Sequence, residues 1–403
     1  MKRGSINYLP TVILIGLAFF LACQKEETRK GAISASLRDT CIYQTEKIEG
    51  KETTTLTMDF SSVERPTRVE DFSSVFHLPP IQQGKTSACW SFAVTSLLEA
   101  ELMRLGRPVA KLSEMYIVYW EFVEKARRFV REKGNSFFGG GSEPNAVIER
   151  MKQYGAVPAS DYPGLLPERQ EHNHAELFQE MQAYLHSCQQ QNYWEEEKII
   201  SHLRKILDKH LGPPPAKVNI EGKALTPQEF VNNYLQLPLD DYVAIMSFKY
   251  LPFYTRGEFK VPDNWWHSQD YYNVPLEDFY QAILRAIKKG FSLVLSVDFS
   301  EPGNSGQHNI GIIPSFDIPR QYIDQDSREM RFFNSSTTDD HGVHLVGYKE
   351  SSNGTWFLLK DSWWTAYTGP IKGYFFYRDD YVKLKALAFL VHREAVEDLL
   401  AKF

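Results

Sequence analysis

Gln83-Gly84-Lys85-Thr86-Ser87-Ala88-Cys89-Trp90-Ser91-Phe92 reads as a short polar loop running into a helix that opens with a cysteine. A helix N-terminus carries partial positive charge and favours a thiolate placed there. Far downstream, Asp340-His341-Gly342-Val343-His344-Leu345-Val346-Gly347-Tyr348 reads as a strand opening with a histidine. Leu359-Lys360-Asp361-Ser362-Trp363-Trp364 reads as a second strand that ends on an acid. A helix-opening Cys, a strand-opening His and an acid one strand further on are a nucleophile, its proton partner and the group that orients it.

Outward from Cys89 the pattern is helical. Phe92, Leu97, Leu98, Leu102 and Leu105 recur at helical spacing, and Gly106 is a stop signal. Helices are also predicted over 113–130 and 143–154, the latter closed by Gly155. Between 165 and 275 the composition changes: 168–210 is helical and rich in Gln, Glu, Lys and His, then comes a Tyr- and Trp-rich stretch. Strands are predicted over 291–299, 341–348, 356–360, 373–377 and 385–392, followed by a short helix over 394–402 with Val396, Leu399 and Leu400 on one face. Helices first and strands later predict an α+β protein with a cleft between two halves.

The chain has 403 residues, 43% hydrophobic and 14% aromatic, which predicts a sizeable core. Its net charge of −6 shows no large basic excess, so no nucleic-acid partner is expected. Four cysteines, Cys23, Cys41, Cys89 and Cys188, are too few for a disulfide scaffold, and whether Cys41 and Cys188 pair is left open. His341 and His344 could suggest metal ligands, but residues three apart in a strand point to opposite faces. No Cys or carboxylate cluster supports zinc either, so neither a metal nor another cofactor is expected.

Lys2 and Arg3 precede an apolar run, Leu9 to Ala22, that is short for a membrane span and of the length of a signal segment. It ends Phe20-Leu21-Ala22-Cys23, which resembles a bacterial lipoprotein cleavage site with the lipid carried on Cys23. Residues 1–22 are then a signal peptide, 23–57 a polar tether and 58–403 the folded domain, held at the cell envelope by a lipid anchor in the membrane. An ordinary secretory signal is the other reading.

The motifs around Cys89, His341 and Asp361 together resemble the papain superfamily of cysteine peptidases, over most of the chain after Pro79. The resemblance implies a two-lobed fold, one lobe helical and the other an antiparallel, barrel-like sheet, acting on peptide or protein substrates. It implies Cys89 as nucleophile, His341 as imidazolium and proton donor, and the Gln83 amide with the Cys89 N–H as oxyanion hole; the adjacent Gln82 is then a surface residue. Asp361 stands where the family has Asn, Trp363 would shield the His–Asp contact, and Trp364 replaces a Gly. Gly141-Ser142 matches the Gly-Gly pair that binds extended substrate. Gly342 matches the floor of the pocket for the second residue on the acyl side, which as glycine suggests an open pocket.

Papain-type enzymes keep the His about 130–150 residues after the Cys. The excess here, roughly 100–120 residues, nearly equals 165–275, which is therefore a mainly helical insertion. Leu211-Gly212-Pro213-Pro214, Thr226-Pro227-Gln228-Glu229-Phe230 and Asp240-Asp241-Tyr242-Val243 within it resemble the bleomycin hydrolase/aminopeptidase C branch, which implies a hexameric aminopeptidase. The export signal departs from that branch. So does the chain's stop at Phe403, about where the branch's restricting C-terminal arm would begin, and cleavage of internal bonds is the corresponding expectation. Two other functions compete. Asp361 and Trp364 motivate an inactive papain-like lipoprotein that binds peptides or a partner. Asp361 also suits a transglutaminase-like acyl transferase, which Gln83 and Ser362-Trp363 do not.

Overall fold

The Cys89–Arg104 helix is buried on nearly every side because it is the wall shared by two lobes. One side packs on the His341–Ser351 strand, the other on the Glu114–Arg131 and Pro144–Tyr154 helices. The structure, a computed structural model, describes residues 38–48 and 51–403. The signal segment and Cys23 lie outside the described residues.

Local signals set the helix ends. The Ser113 side chain accepts the Tyr116 N–H and caps Glu114–Arg131. Gly155, at φ +76°, ends Pro144–Tyr154; a Cβ there would lie 2.3 Å from the Pro227 carbonyl oxygen, so only glycine fits. The helical lobe is completed by Ala175–Gln190 and Glu196–Leu211. The single helix expected over 168–210 is thus two. Asn192 takes a left-handed conformation, φ +50°, and its side chain accepts from the Trp194 indole at 2.7 Å, which breaks the run.

The second lobe is built on an 11-stranded sheet. Its centre is the antiparallel run Tyr374–Arg378, Gly354–Lys360, His341–Ser351, Leu293–Val297 and Ala386–His392. Parallel pairs occur toward both edges, Ile310–Gly311 on Tyr374–Arg378 and Tyr242–Met246 on Tyr271–Asn273. The sheet is therefore mixed, where an antiparallel barrel was expected.

Two segment assignments need correction. The 41–57 part of the expected tether is an antiparallel hairpin, Cys41–Ile48 on Lys51–Met58. Threonine is polar yet β-branched, so a Thr-rich run reads as linker by polarity and forms a strand by shape; Thr45 and Thr54 bond across it at 2.9 Å. The 165–275 insertion has helical segments as far as Pro227–Glu229, Phe230–Leu235 and the turn Leu239–Asp241, but its last third joins the sheet. Its Tyr242–Met246 strand pairs with Ala386–His392, and Thr255–Gly257 and Tyr271–Asn273 extend the same sheet. At the C-terminal end, the helix expected over 394–402 is a 3-10 turn, Arg393–Val396, followed by Glu397–Leu400, with Val396 and Leu399 buried as expected. Cys41, Cys89 and Cys188 are unpaired thiols.

Arg328, on the Gln325–Phe333 helix, ties together the end of the Tyr242–Met246 strand, the Asp379–Lys385 helix and the Ala386–His392 strand. It is 0 % exposed and donates to the carbonyls of Ser247 (3.1 Å), Lys383 (3.1 Å) and Leu387 (2.9 Å). Arg328→Leu strands three buried acceptors and is expected to cost at least about 3 kcal/mol. Arg328→Lys should recover little, because a point charge cannot reproduce the guanidinium fork. Urea unfolding checks this; a loss within about 0.5 kcal/mol, the scatter of surface changes, contradicts it.

Candidate active site

Cys89 is the first residue of its helix and is half-buried. The N-cap, Ala88, offers no side-chain acceptor, and the helix's own bonds begin with Ser91 and Phe92, both donating to the Ala88 carbonyl. The Cys89 N–H therefore stays outside the ladder, available to an acceptor beside the sulfur.

The loop before it is fixed from several directions. Gln83 is buried and Gln82 exposed. The Gln83 N–H donates to the Ser362 carbonyl at 2.9 Å, its Oε1 accepts from the Ser362 hydroxyl at 2.7 Å, and its Nε2 donates to the Thr86 carbonyl at 2.8 Å. These bonds fix the amide orientation and leave one Nε2 hydrogen free. Gly84, at φ +66°, lets the loop pass the His172 carbonyl, to which Lys85 N–H donates at 2.8 Å. The insertion thus braces the approach to Cys89.

His341 opens its strand, as expected, and Asp361 follows the end of Gly354–Lys360. His341 Nε2 and Asp361 Oδ1 are 2.9 Å apart, both buried. Cys89 lies within electrostatic and hydrogen-bonding reach of the same ring. Burial alone pulls the His341 pKa down, but the Asp361 and Cys89 charges and their hydrogen bonds outweigh it and raise it to about 10. Asp361 Oδ1 also accepts the Trp363 N–H at 2.7 Å. The imidazole lies between ring edges, Phe299 at 5.4 Å and Trp363 at 6.4 Å between centroids. Trp364 is 45% exposed.

Gln83, Thr86, Cys89, Gly141, Asp263, Phe299, Asp340, His341 and Trp363 line one cleft of about 390 Å³. Three expectations about its walls change. The Ser142 side chain turns inward: its hydroxyl donates to Glu121 Oε1 at 2.5 Å, because Glu121, bonded also by the Trp265 indole at 2.6 Å, is buried behind it. Gly141 is at the cleft, but the space a Cβ would fill holds Asp263, with Oδ2 at 2.0 Å. Gly342 does not open a pocket by lacking a side chain; a Cβ there would meet Trp90 Cα at 3.2 Å, so glycine lets strand and helix touch. His344 faces away from this cleft and bonds Ser96 Oγ through Nδ1 at 2.8 Å.

Sequence reasoning missed Phe299, Asp263 and Lys125. Lys125 is 1% exposed and donates to the Gly139 carbonyl at 2.9 Å and to the Gly141 carbonyl. It fixes the Gly-rich loop from behind. A lone Lys inside an aromatic helix pattern was the available signal.

The family model described as Peptidase C1-like matches residues 140–403, which include His341 and Asp361. Among solved structures, PepW from Lactobacillus rhamnosis shares 17% identity over 82% of this chain and 83% of its own, with a TM-score of 0.65, and so shares the fold. The digestive procathepsin L 3 of the Tenebrio molitor larval midgut matches at 14% identity over 79% of this chain and 66% of its own, with a TM-score of 0.35. No curated protein matches the chain.

Proposed function

The chain belongs to the Peptidase C1-like family, and from that premise we propose that it hydrolyses peptide bonds through a Cys89 acyl-enzyme. The observation that carries this reading is the His341 ring, held between Asp361 and Cys89 and charged well past neutral pH. An imidazolium beside a helix-terminal sulfur favours the thiolate.

The thiolate attacks the scissile carbonyl carbon. The carbonyl oxygen takes up the electron pair and meets two donors, the Cys89 N–H and the free Gln83 Nε2 hydrogen; one such donor is typically worth about 3–4 kcal/mol of barrier. His341 then gives its ring proton to the leaving amine as the C–N bond breaks, and a thioester remains. Neutral His341 takes a proton from water, the hydroxide displaces the thiolate, and the carboxylic acid leaves. Asp361 holds the ring in the one orientation that serves both transfers.

An epoxysuccinyl affinity probe tests the reading. Labelling of wild type, lost in Cys89→Ala, is the expected result; an unlabelled wild type favours a peptide-binding protein without turnover. The finer reading, an aminopeptidase C-like specificity, draws support from the insertion's sequence islands and from Asp263, which the insertion brings to the cleft. Matched peptides with free and acetylated N-termini decide between trimming and internal cleavage. We also read Cys23 as lipidated. Incorporation of a clickable fatty acid in cells, abolished by Cys23→Ala, is the expected result.

A further inference from the structure

Lys385 ends the Asp379–Lys385 helix, immediately before the Ala386–His392 strand, and is buried. Its amine donates to Asp298 Oδ2 at 2.9 Å, to the Thr337 hydroxyl at 3.0 Å and to the Ser336 carbonyl at 3.1 Å, and lies 3.2 Å from Glu301 Oε2. An ammonium carries three hydrogens, so all of them are committed. Lysine is almost never buried unless paired, and no step of the cleavage described above uses this one.

Its partners lead to the catalytic histidine. Asp298 follows the Leu293–Val297 strand and is buried. Its Oδ1 accepts the Ser300 N–H at 2.7 Å and the Ser300 hydroxyl at 2.6 Å, a side-chain bond two residues on that sets a tight turn with Phe299 at its middle. Its Oδ2 accepts the Thr338 N–H at 3.3 Å besides the Lys385 amine. The Thr338 hydroxyl donates to Asp340 Oδ1 at 2.6 Å, and Asp340 Oδ2 accepts the Phe299 N–H at 3.4 Å. One ammonium thus laces residues 298–301 to residues 336–340, with Phe299 held from both sides. Phe299 meets the His341 ring edge-on at 5.4 Å between centroids, packs on Phe375 at 5.8 Å, and lines the cleft beside Cys89.

Without the ammonium, Asp298 and Glu301 are two buried carboxyls with no counter-charge between them, and Glu301 Oε1 already lacks a donor. Removing one partner of a buried charge cluster is costly, and the relief is for the 298–301 turn to move toward water. Phe299 moves with it.

On the peptidase reading above, we propose that Lys385 is a positioning residue for the cleavage: it pins the 298–301 turn so that Phe299 lies on His341 and keeps water from the imidazole. The charged groups facing that ring are Asp361 and Cys89, while Phe299 and Trp363 are uncharged. Water at the ring weakens both the pull of those charges and the opposing effect of burial. The charges outweigh burial here, so the net result is an imidazolium that gives up its proton at lower pH.

The test compares Lys385→Met, Phe299→Ala and the double variant. Lys385→Met keeps an apolar stem and removes the charge. Each single variant is expected to lower kcat about tenfold with KM within about threefold, and the double variant to match Phe299→Ala within about twofold, because both act through one ring. Losses that multiply overturn the proposal. The titration of His341 gives a readout that needs no turnover, followed by NMR on histidine labelled with carbon-13 and assigned through His341→Ala. Its midpoint should fall by at least about half a pH unit in each single variant and no further in the double. An unchanged midpoint in folded Lys385→Met overturns the proposal. Should Lys385→Met not fold, Asp298→Asn serves in its place. It keeps an acceptor for Ser300 and removes the charge that Lys385 meets, and it must show the same non-additivity with Phe299→Ala. Absence of hydrolysis in wild type, with the His341 shifts as expected, overturns the peptidase reading and leaves the positioning of Phe299 by Lys385 standing.

Discussion

Cys89→Ala and His341→Ala are each expected to lower kcat by about four to six orders of magnitude, and the double variant to be no worse than either single one. Once the thiolate is gone, the imidazolium has nothing to activate; once the imidazole is gone, the sulfur has no proton partner and the leaving amine no acid. What remains is binding and the oxyanion donors, Gln83 and the Cys89 N–H. Both variants should fold, since Cys89 is half-buried and His341 is held mainly through Asp361. His344 is the control. It sits on the same strand, fully buried, but its partner is Ser96. His344→Ala should therefore lower the unfolding midpoint and leave the peptide-cleavage mechanism in place. Loss of activity in His344→Ala with retention in His341→Ala would falsify the assignment of the base.

The residues legible in the sequence share one property: their meaning is local. Cys89 announces itself by its helix, His341 by the strand it opens, Asp361 by the Ser-Trp after it, and Gln83 by its fixed offset from Cys89. The helix order and the central strands follow from periodicities of about 3.6 and two residues. What could not be read is convergence. Glu143 looks like a helix-start acid, Asp263 a loop acid between Pro262 and Asn264, and Asp339 one of two adjacent aspartates. Only the fold sets Asp263 against Gly141 in the cleft and Glu143 against Tyr271 and Ser296. Ser142 misled for the same reason: its hydroxyl is drawn inward by Glu121, a buried acid supplied by another helix. The Thr-rich hairpin misled for a different one, because polarity and strand propensity point in opposite directions at threonine.

Asp361 shows how one atom of difference from the family pattern should register in a pH profile. The charged form of His341 is opposed by burial and favoured by Asp361 and Cys89, with the balance at about 10. An unfolded histidine titrates near 6.5, so this group's folded pKa is raised. Its contribution to stability is therefore complete below about pH 6.5 and is lost as pH rises toward 10. The imidazolium half of the catalytic pair should persist over the same range. Asp361→Asn keeps an oxygen that can accept from both His341 and the Trp363 N–H, so activity near neutrality should stay within about tenfold of wild type. It removes the negative charge, so the alkaline limb of kcat/KM should fall by about one pH unit or more. Asp361→Ala removes charge and acceptor together and leaves the Trp363 N–H and the ring without their partner; a loss of about a hundredfold or more is expected at every pH. The two variants thus separate the electrostatic from the orienting role. Coincident alkaline limbs for wild type and Asp361→Asn would mean that the Asp361 charge does not hold the His341 proton, and that Cys89 alone does.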